Sequence, residues 1–305
     1  MKKSSEIAPG WIAVDWGTTH LRVWAMSGDG VILDHKTSDA GMASLSKDEF
    51  EGALLRVISE WLSELKITPV VSCGMVGSRQ GWVEAPYQVV PCEPLKNAKF
   101  AVAATRDPRI KFYVVPGIKQ DSPADVMRGE ETQIAGLLAQ EPDFDGVACL
   151  PGTHTKWVRI SAGEVVHFST YLTGELFSLL SSKSVLRHSI AQNGWDTTAF
   201  KGAIDDAITK PSAIAGRLFS LRSEALISEL SPETARARLS GYLIGLELGA
   251  ARQYWLGQKV VIIGEEKISD AYYDALNAQG WAPVKYDAEL MTLAGISSAY
   301  LKIRL

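Results

Sequence analysis

One short hairpin motif occurs twice in this chain. The first copy, residues 12–24, reads IAVDWGTTHLRVW, and the second, residues 147–159, reads VACLPGTHTKWVR. Each copy has an apolar run, a tight turn with Gly-Thr and a further hydroxyl residue, and a second apolar run. Each then continues through a glycine-containing turn into a third run with strand character. A chain that repeats this unit is expected to fold as two related α/β halves.

The two Gly-Thr turns also indicate a ligand. Two such turns facing each other would clamp a polyphosphate, because backbone N–H groups and hydroxyls supply donors and glycine permits close approach. The hydroxyls could instead satisfy only their local turns, but the pairing of the motif favours phosphate binding. The predicted phosphate-binding residues are Gly17, Thr18, Thr19, Gly152, Thr153 and Thr155.

Composition narrows the class of protein. The 305 residues are 22% charged and 46% hydrophobic, with a net charge of −4, which is the balance of a globular protein of one large or two ordinary domains. The negative charge argues against a nucleic-acid footprint, which requires basic clustering. We find no apolar run long enough to cross a membrane and no signal-peptide core after Lys2 and Lys3, so we expect a cytoplasmic protein without a membrane partner.

The three cysteines are few and unevenly spaced. Cys73, Cys92 and Cys149 all stand in apolar surroundings. This pattern predicts buried, reduced thiols in the cytosol, with metal binding as a second alternative.

In the first half, periodicity predicts an antiparallel meander followed by a helix and further strands. Ser46 and Glu49 form a capping box at the start of a helix expected over residues 47–65. The expected strands are Trp11–Val14, Leu21–Met26, Val31–His35, Pro69–Cys73 and Phe112–Val115, and a second helix is expected over Glu130–Gln140.

The second half repeats this order. Ser231 is expected to cap a long helix that opens at Pro232 and runs to Trp255, and Ser269 is expected to cap the next helix. The other expected elements are a meander over 147–171, a helix over 175–188, a strand over 259–263 that ends at Gly264, and a last helix over 289–302.

Asp121-Ser122-Pro123 is expected to break structure near the joint between the halves. We therefore predict an N-terminal domain over 1–125, which the C-terminal helix 289–305 joins, and a C-terminal domain over 126–288.

Four ordered motifs together resemble one known family. The chain is similar to the 2-dehydro-3-deoxygalactonokinases of the sugar kinase/Hsp70/actin superfamily, and the similarity extends over nearly all of it. The motifs are DWGTT at 15–19, GMVGSRQGW at 74–82, DVMRGEETQ at 125–133 and LPGTHTK at 150–156.

The resemblance implies two ribonuclease-H-like domains of the actin-like ATPase fold, with ATP in a cleft between them. It assigns the sugar to the N-terminal domain and the nucleotide to the C-terminal domain. It also implies ATP-dependent phosphorylation of 2-dehydro-3-deoxy-D-galactonate on its terminal 6-hydroxyl, in galactonate catabolism. The domains would close on the substrates, so ATP hydrolysis without sugar should be slow.

The two turns differ in charge. Asp15 ends the first apolar run, whereas Leu150 takes that place in the second copy. A single carboxylate suits one Mg²⁺ that bridges the phosphates of ATP, although Asp15 could instead only cap a hairpin. Arg22 and Lys156 directly follow the turns, where each could offset phosphate charge or simply be solvated.

Glu130 is the predicted catalytic base. Kinases of the superfamily carry the catalytic carboxylate in a Gly-Asp pair, and by position this role falls on Glu130, which would accept the proton of the sugar hydroxyl. Glu131 should point about 100° away around the helix, and Asp125 is a further candidate. The alternative is that Glu130 and Glu131 are only favourable charges at a helix N-terminus.

The loop over 74–82 is the predicted substrate-binding segment, since it follows the end of a strand. Arg79 could hold the carboxylate of a sugar acid with two parallel hydrogen bonds, flanked by Ser78 and Gln80. On spacing alone this segment could be a plain surface loop. Gly41 is expected to line the same pocket, and Gly264 is expected near adenine because the resemblance places a glycine there, although it could be an ordinary turn.

Two other functions stay open at this stage. One is a kinase of the same fold that acts on a neutral sugar, and the other is a non-enzymatic ATP-binding clamp or filament protein. The oligomeric state is also open, with a homodimer as one candidate.

Overall fold

The computed structural model describes residues 8–303, which form two compact units. Unit 1 contains the chain up to Phe144, the segment Ser161–His167 and the chain from Ala288, and unit 2 contains Asp145–Ile160 and Phe168–Asp287. The compact N-terminal unit therefore continues well past residue 125. Asp121-Ser122-Pro123 lies in the turn of a hairpin inside unit 1, where Asp121 pairs with Ala124.

The strands and helices are numbered in chain order. The strands are β1 Trp11–Trp16, β2 Leu21–Met26, β3 Ile32–Ser38, β4 Thr68–Gly74, β5 Tyr87–Val89, β6 Ala101–Ala103, β7 Ile110–Val114, β8 Gly117–Asp121, β9 Ala124–Met127, β10 Gly146–Leu150, β11 Thr155–Ser161, β12 Glu164–Tyr171, β13 Val260–Gly264 and β14 Val284–Asp287. The helices are α1 Phe50–Ile58, α2 Glu130–Gln140, α3 Thr173–Ser182, α4 Thr197–Thr209, α5 Ile214–Ile227, α6 Pro232–Ala250, α7 Arg252–Trp255, α8 Glu266–Ala278 and α9 Ala288–Ile303.

The two large sheets share one strand order, which confirms the prediction of two related α/β halves. The first sheet runs β3-β2-β1-β4-β7-β6 and the second runs β12-β11-β10-β13-β14. In both, the hairpin that carries the Gly-Thr turn is antiparallel, and its first strand pairs in parallel with the next strand of the sheet. β12 begins in the segment assigned to unit 1 and ends in unit 2.

Aromatic side chains fill the core on one face of the first sheet. The rings of Trp16, Phe50, Trp82 and Phe112 contact one another with centroids 4.6–6.3 Å apart. Trp82 belongs to the predicted substrate loop and is partly buried, and its packing against these rings anchors the end of that loop to the core.

Helices α2 and α9 pack closely, and this packing holds the start of α2. A Cβ at Gly136 would lie 2.0 Å from the carbonyl oxygen of Met291, and one at Gly295 would lie 1.9 Å from that of Thr132. These positions therefore require glycine, because any side chain would push the helices apart. At the end of α9, the ring of Tyr300 stacks on Trp11 of β1 at 4.2 Å.

Most predicted elements are present, with changes at their ends. Ser231 caps α6, since its Oγ accepts from the Thr234 N–H at 3.2 Å. The first helix is shorter than predicted: the chain turns at residues 47–49, the helix ends at Ile58, and a 3₁₀ turn follows at Ser59–Trp61. The capping-box carboxylate of Glu49 nevertheless accepts from the Ser46 N–H at 2.8 Å.

Three other expectations need correction. The helix expected over 175–188 is α3 followed by a separate 3₁₀ turn at Val185–His188, and the helix expected to reach Trp255 divides into α6 and α7. The prediction that Ser269 caps a helix is wrong: α8 already begins at Glu266, directly after β13, and Ser269 is buried within it. Cys73 and Cys149 are buried as predicted, whereas Cys92 is only partly buried.

Across residues 8–303, no helix combines the length and apolar character needed to span a bilayer.

Candidate functional site

The first Gly-Thr turn joins β1 to β2 and is supported from behind. The Gly17 N–H donates to the His20 carbonyl at 3.0 Å, and Thr18 and Thr19 are exposed. Gly41 packs against the turn, where an added Cβ would lie 2.1 Å from the carbonyl carbon of Thr19. The turn therefore presents its hydroxyls outward, and Gly41 is required for the packing beneath it.

Asp15 and Arg22 face each other across β1 and β2. Their closest atoms, Asp15 Oδ2 and Arg22 Nε, are 3.7 Å apart, and the side chains are 19% and 28% exposed. Arg22 also lies 3.7 Å from the carboxylate of Glu289. Burial raises the pKa of Asp15, and the positive charge of Arg22 opposes this rise. Asp15 is thus a partly accessible carboxylate beside a fixed cation.

The start of α2 lies beside the ends of β1 and β4. Gly129 has φ +117°, and a Cβ added to it would be 3.6 Å from the Cα of Gly74. A Cβ at Gly74, with φ +89°, would in turn be 3.4 Å from Asp15 Oδ1. Two positive-φ glycines therefore allow the helix start to approach Asp15.

The two glutamates of this helix start have different environments. Glu130 is partly exposed, and its Oε2 accepts from the Arg128 N–H at 3.0 Å. Glu131 is 1% exposed, as expected of a side chain on another face, and accepts from the Gly129 N–H at 2.7 Å. Burial, with a further contribution from the charge of Glu130, raises the pKa of Glu131 to about 7. Asp125 lies in β9, where it pairs with Gln120 of β8.

The predicted substrate loop does not bring its three polar residues together. Ser78 is 6% exposed and points inward, whereas the side chain of Arg79 is 82% exposed and lies 3.5 Å from the carboxylate of Glu84. Gln80 is exposed. In this conformation, Arg79 and Gln80 can reach a ligand and Ser78 cannot.

Arg128 is a residue near this loop that the sequence analysis did not single out. Its guanidinium lies 4.3 Å above the ring of Tyr87 and donates to the Ala85 carbonyl at 2.8 Å. Nε and Nη1 are buried and have no hydrogen-bond partner among the described residues. Its position directly before the Gly129-Glu130 pair is the one signal in the sequence that could have drawn attention to it.

The second Gly-Thr turn joins β10 to β11 and rests on α3. The Glu175 N–H donates to the Thr153 carbonyl at 2.9 Å, and a Cβ at Gly174 would lie 2.1 Å from the Gly152 oxygen. Thr153 is exposed, whereas Thr155 is completely buried and its Oγ1 lies 2.8 Å from the hydroxyl of Tyr272. The side chain of Thr155 is therefore directed away from any ligand on the outside of the turn.

Lys156 and Gly264 lie close to this turn. Lys156 is opposite Leu150 in the β10–β11 pair and is 5% exposed, so it is not the solvated lysine considered above. A Cβ at Gly264 would lie 3.0 Å from the ring of Pro151, so this glycine packs directly behind the turn.

A cavity of about 750 Å³ lies inside unit 2, next to this turn. Its wall includes Gly152 and Thr153 together with Trp195, Arg236 and Lys267, and the last three were missed by the sequence analysis. The guanidinium of Arg236 lies 5.0 Å above the ring of Phe177 and donates to the Ala191 carbonyl at 3.1 Å, which fixes its position. Its burial lowers the pKa of Arg236.

A buried carboxylate lies behind the same turn. Glu247 of α6 is 3% exposed and accepts hydrogen bonds from the Trp157 indole, the Thr173 hydroxyl and the Tyr272 hydroxyl. Burial raises the pKa of Glu247 to about 7, although the hydrogen bonds from these donors lower it. Sequence reasoning missed this residue, because nothing in the pattern of α6 separates it from a surface glutamate.

Within residues 8–303, no group of three or more His, Cys, Asp and Glu side chains is placed to hold a metal ion. A protein-only metal cage is therefore not a feature of the described chain. A single-carboxylate Mg²⁺ site of the kind predicted at Asp15 needs no such group, because Mg²⁺ keeps several waters and phosphate oxygens.

Comparisons with known proteins show the family of this chain. The family model described as 2-keto-3-deoxy-galactonokinase matches residues 15–299. The chain is 36% identical over 297 residues to a protein of Rhizobium meliloti (strain 1021) named "Probable 2-dehydro-3-deoxygalactonokinase", covering 95% of this chain and 96% of that one. It is 33% identical over 291 residues to the Escherichia coli (strain K12) 2-dehydro-3-deoxygalactonokinase, covering 94% and 96%.

Solved structures give the same result. A Sinorhizobium meliloti crystal structure described as a 2-dehydro-3-deoxygalactonokinase matches with a TM-score of 0.85 and 34% identity over 96% of both chains. Component A of the (R)-2-hydroxyglutaryl-CoA dehydratase of Acidaminococcus fermentans matches with a TM-score of 0.52 and 12% identity over 97% and 99% of the chains, which shows a shared fold. By sequence and by structure, the chain belongs to the 2-keto-3-deoxy-galactonokinase family.

Proposed function

We propose that the protein transfers the γ-phosphoryl group of ATP to the 6-hydroxyl of 2-dehydro-3-deoxy-D-galactonate. The observation that carries this proposal is the family match over residues 15–299, which includes both Gly-Thr turns and the Gly129-Glu130 pair. A kinase of a neutral sugar and a non-enzymatic clamp have no comparable support.

ATP is the proposed phosphoryl donor, bound in the cavity of unit 2. Its volume of about 750 Å³ is within the range of small-molecule sites. Thr153 and the backbone at Gly152 present donors at one end, and Arg236 is a fixed cation in the wall. We assign phosphate contacts to this turn and to Gly17, Thr18 and Thr19 of the first turn, with Lys156 and Gly264 supporting the second turn from behind.

Asp15 is the proposed protein ligand of Mg²⁺. A partly accessible carboxylate is a hard oxygen donor, as Mg²⁺ requires, so the residue fits the ion. When bound, Mg²⁺ would neutralise charge on the phosphates of ATP. Arg22 lies beside Asp15, and its positive charge opposes the rise in the pKa of Asp15 that burial causes.

Glu130 is the proposed catalytic base. It would take the proton from the 6-hydroxyl as that oxygen bonds to the γ-phosphorus and the bond from phosphorus to the ADP oxygen breaks. Its partial exposure favours it over Glu131, which is 1% exposed and already accepts from the Gly129 N–H. Glu131 is better placed to hold the helix start than to meet a substrate.

Arg79 is the proposed partner of the substrate carboxylate, with Gln80 beside it and Ser78 and Gly41 shaping the loop and turn. The exposure of Arg79 leaves its guanidinium available for a bidentate contact. A cytoplasmic location, a homodimer and the absence of nucleic-acid and membrane partners stay predictions from the sequence.

The test is ADP release, measured with a coupled assay and Mg-ATP against 2-dehydro-3-deoxygalactonate, its neutral sugar counterparts and no sugar. We expect turnover with the sugar acid and slow hydrolysis without it. Equal ATP hydrolysis with and without sugar would contradict the proposal, and turnover with neutral hexoses alone would discard the role of Arg79.

A further inference from the structure

Glu247 determines which group donates each hydrogen in the chain of hydrogen bonds that reaches the second Gly-Thr turn. Tyr272 has one hydroxyl hydrogen, and at 2.8 Å it donates this hydrogen to Glu247 Oε2 when the carboxylate is ionised. The Thr155 hydroxyl, 2.8 Å from the same Tyr272 oxygen, must then be the donor in that contact. The ionised carboxylate thus fixes the rotamer and hydrogen direction of a residue in the turn.

The carboxylate of Glu247 also holds the side of the cavity that α3 forms. Thr173, which opens α3, donates to Glu247, and both Thr173 and Tyr272 line the cavity. The next residues of α3 hold the turn itself, through the Glu175 N–H to the Thr153 carbonyl and the close packing of Gly174 on Gly152. One side chain of α6 therefore joins α3, α8 and the start of β11 around the ligand space.

None of the three donors to Glu247 is charged. The indole N–H of Trp157 lies 2.7 Å from Oε1 and can only donate, whereas the two hydroxyls at Oε2 can donate or accept. A buried carboxylate without a charged donor is costly, and packing alone would be served as well by an apolar side chain of similar size. The arrangement is therefore suited to orient hydroxyls rather than to add stability.

We propose that Glu247 is a positioning residue of the nucleotide site. It does not touch the phosphates, and it acts through Thr173, which lines the cavity, and through the buried Thr155, which anchors the β11 end of the second Gly-Thr turn. This inference rests on the proposed function, because it takes the cavity of unit 2 as the place where the nucleotide binds. It goes beyond that function by assigning a role to a residue that no ligand can reach.

Glu247→Gln is the sharpest variant. Glutamine has nearly the same size, but the fixed indole donor requires its oxygen at Trp157, so its NH₂ faces Thr173 and Tyr272. Tyr272 must then accept and Thr155 loses its fixed orientation. Tyr272→Phe removes the same link from the other end, and Glu229→Gln, at an exposed glutamate of unit 2, is the matched control.

The experiment measures ADP binding by calorimetry at pH 8, where Glu247 is ionised, for the wild type, the two single variants, the double variant and the control. We expect each single variant to weaken ADP binding about tenfold, because Gly152 and Thr153, which we assign to the phosphates, are then less firmly oriented. The double variant should lose no more than the weaker-binding single variant, because the two residues act in one chain. KM for the sugar acid should stay within about twofold in every protein, which a general loss of structure would not allow.

If the folded Glu247→Gln protein bound ADP as tightly as the wild type, the inference would be overturned and the proposed function would stand. If that variant does not fold, Tyr272→Phe decides, since it removes a single hydroxyl: unchanged ADP binding would overturn the inference. Additive losses in the double variant would also contradict it. A wild-type protein that binds no ADP would overturn the proposed nucleotide site and this inference together.

Discussion

The two Gly-Thr turns have the same place in their sheets but carry their charged groups differently. In the first turn, Asp15 faces Arg22 across the strand pair, and both side chains are partly exposed. At the matching register of the second turn, Leu150 faces a buried Lys156. A buried carboxylate of the second unit, Glu247, comes from α6 and lies behind the turn. Two hairpins with the same backbone fold can therefore have different functions when their charged side chains lie at different positions.

This difference suggests a division of labour. A partly exposed carboxylate can bind a metal ion or a substrate, whereas a buried one can only act on its neighbours. In our proposal, the first turn and the nearby helix start provide accessible groups for chemistry, and the second turn provides donors for the nucleotide.

The largest effect is expected from Glu130→Gln. Loss of the proposed base should lower kcat about 10²- to 10⁴-fold, with little change in the KM for ATP, in the coupled ADP assay. Asp125→Asn is the control and should retain activity. A near-normal Glu130→Gln protein together with an inactive Glu131→Gln protein would transfer the role to Glu131.

Asp15→Asn should cause the next largest loss. Removing the charge that we assign to Mg²⁺ should lower kcat/KM for Mg-ATP about ten- to a hundredfold, and higher Mg²⁺ concentrations should recover part of it. Asp29→Asn, at an exposed aspartate of the same unit, serves as the control. Loss of activity that Mg²⁺ cannot relieve at any concentration would argue against a metal ligand and for the hairpin-capping role.

Glu131 in unit 1 and Glu247 in unit 2 both have a raised pKa, and this should appear in the pH dependence of stability. The pKa values of Glu131 and Glu247 are about 7 in the folded protein against 4.5 as the ordinary value, so the folded state binds more protons between these limits. The free energy of unfolding should then fall as the pH rises from 4.5 to 7 and level off above 7, by on the order of 1–3 kcal/mol for each group.

Urea unfolding at several pH values measures this dependence. Glu131→Gln and Glu247→Gln should each reduce the decline in the free energy of unfolding between pH 4.5 and 7. Glu229→Gln should show the same pH dependence as the wild type. A wild-type curve that is flat or rising over this interval would show that neither carboxyl is protonated in the folded state.

The smallest effect is expected from Arg79→Gln. Because Arg79 is exposed, replacing it should raise the KM for the sugar acid about tenfold or less and leave kcat nearly unchanged. Arg106→Gln, at another exposed arginine of unit 1, is the matched control. An unchanged KM would mean that another group binds the substrate carboxylate. Arg128, two residues before Glu130, would then be the next arginine to replace.

Local sequence patterns predicted the helices and strands well where hydrophobic periodicity or a capping residue is enough to determine them. Residues 130–140 form α2 and Leu21–Met26 form β2 as predicted, and Ser231 with Pro232 opens α6. The errors arise where neighbours far along the chain decide. Ser269 has a capping residue type but lies inside α8, because β13 runs directly into that helix.

The candidate site shows the same limit. Gly17, Thr18, Asp15 and Glu130 could be predicted as site residues because a repeated turn or a glycine-acid pair marks them in the sequence. Arg128, Arg236 and Glu247 carry no such mark, and Arg79 could not be known to be exposed. Thr155 belongs to the repeated motif but is buried in the structure.

The sequence by itself determined that this chain has two related α/β halves, each with a phosphate-type turn, because strand periodicity and turn chemistry are encoded locally. Only the tertiary structure decided which carboxylates are accessible. Glu130 and Glu131 are adjacent in sequence, but Glu130 is partly exposed and Glu131 is buried. The environment of Glu247 depends on donors from Trp157, Thr173 and Tyr272. Burial and pKa depend on which distant side chains surround a group, and that is set only when the sheets and helices pack.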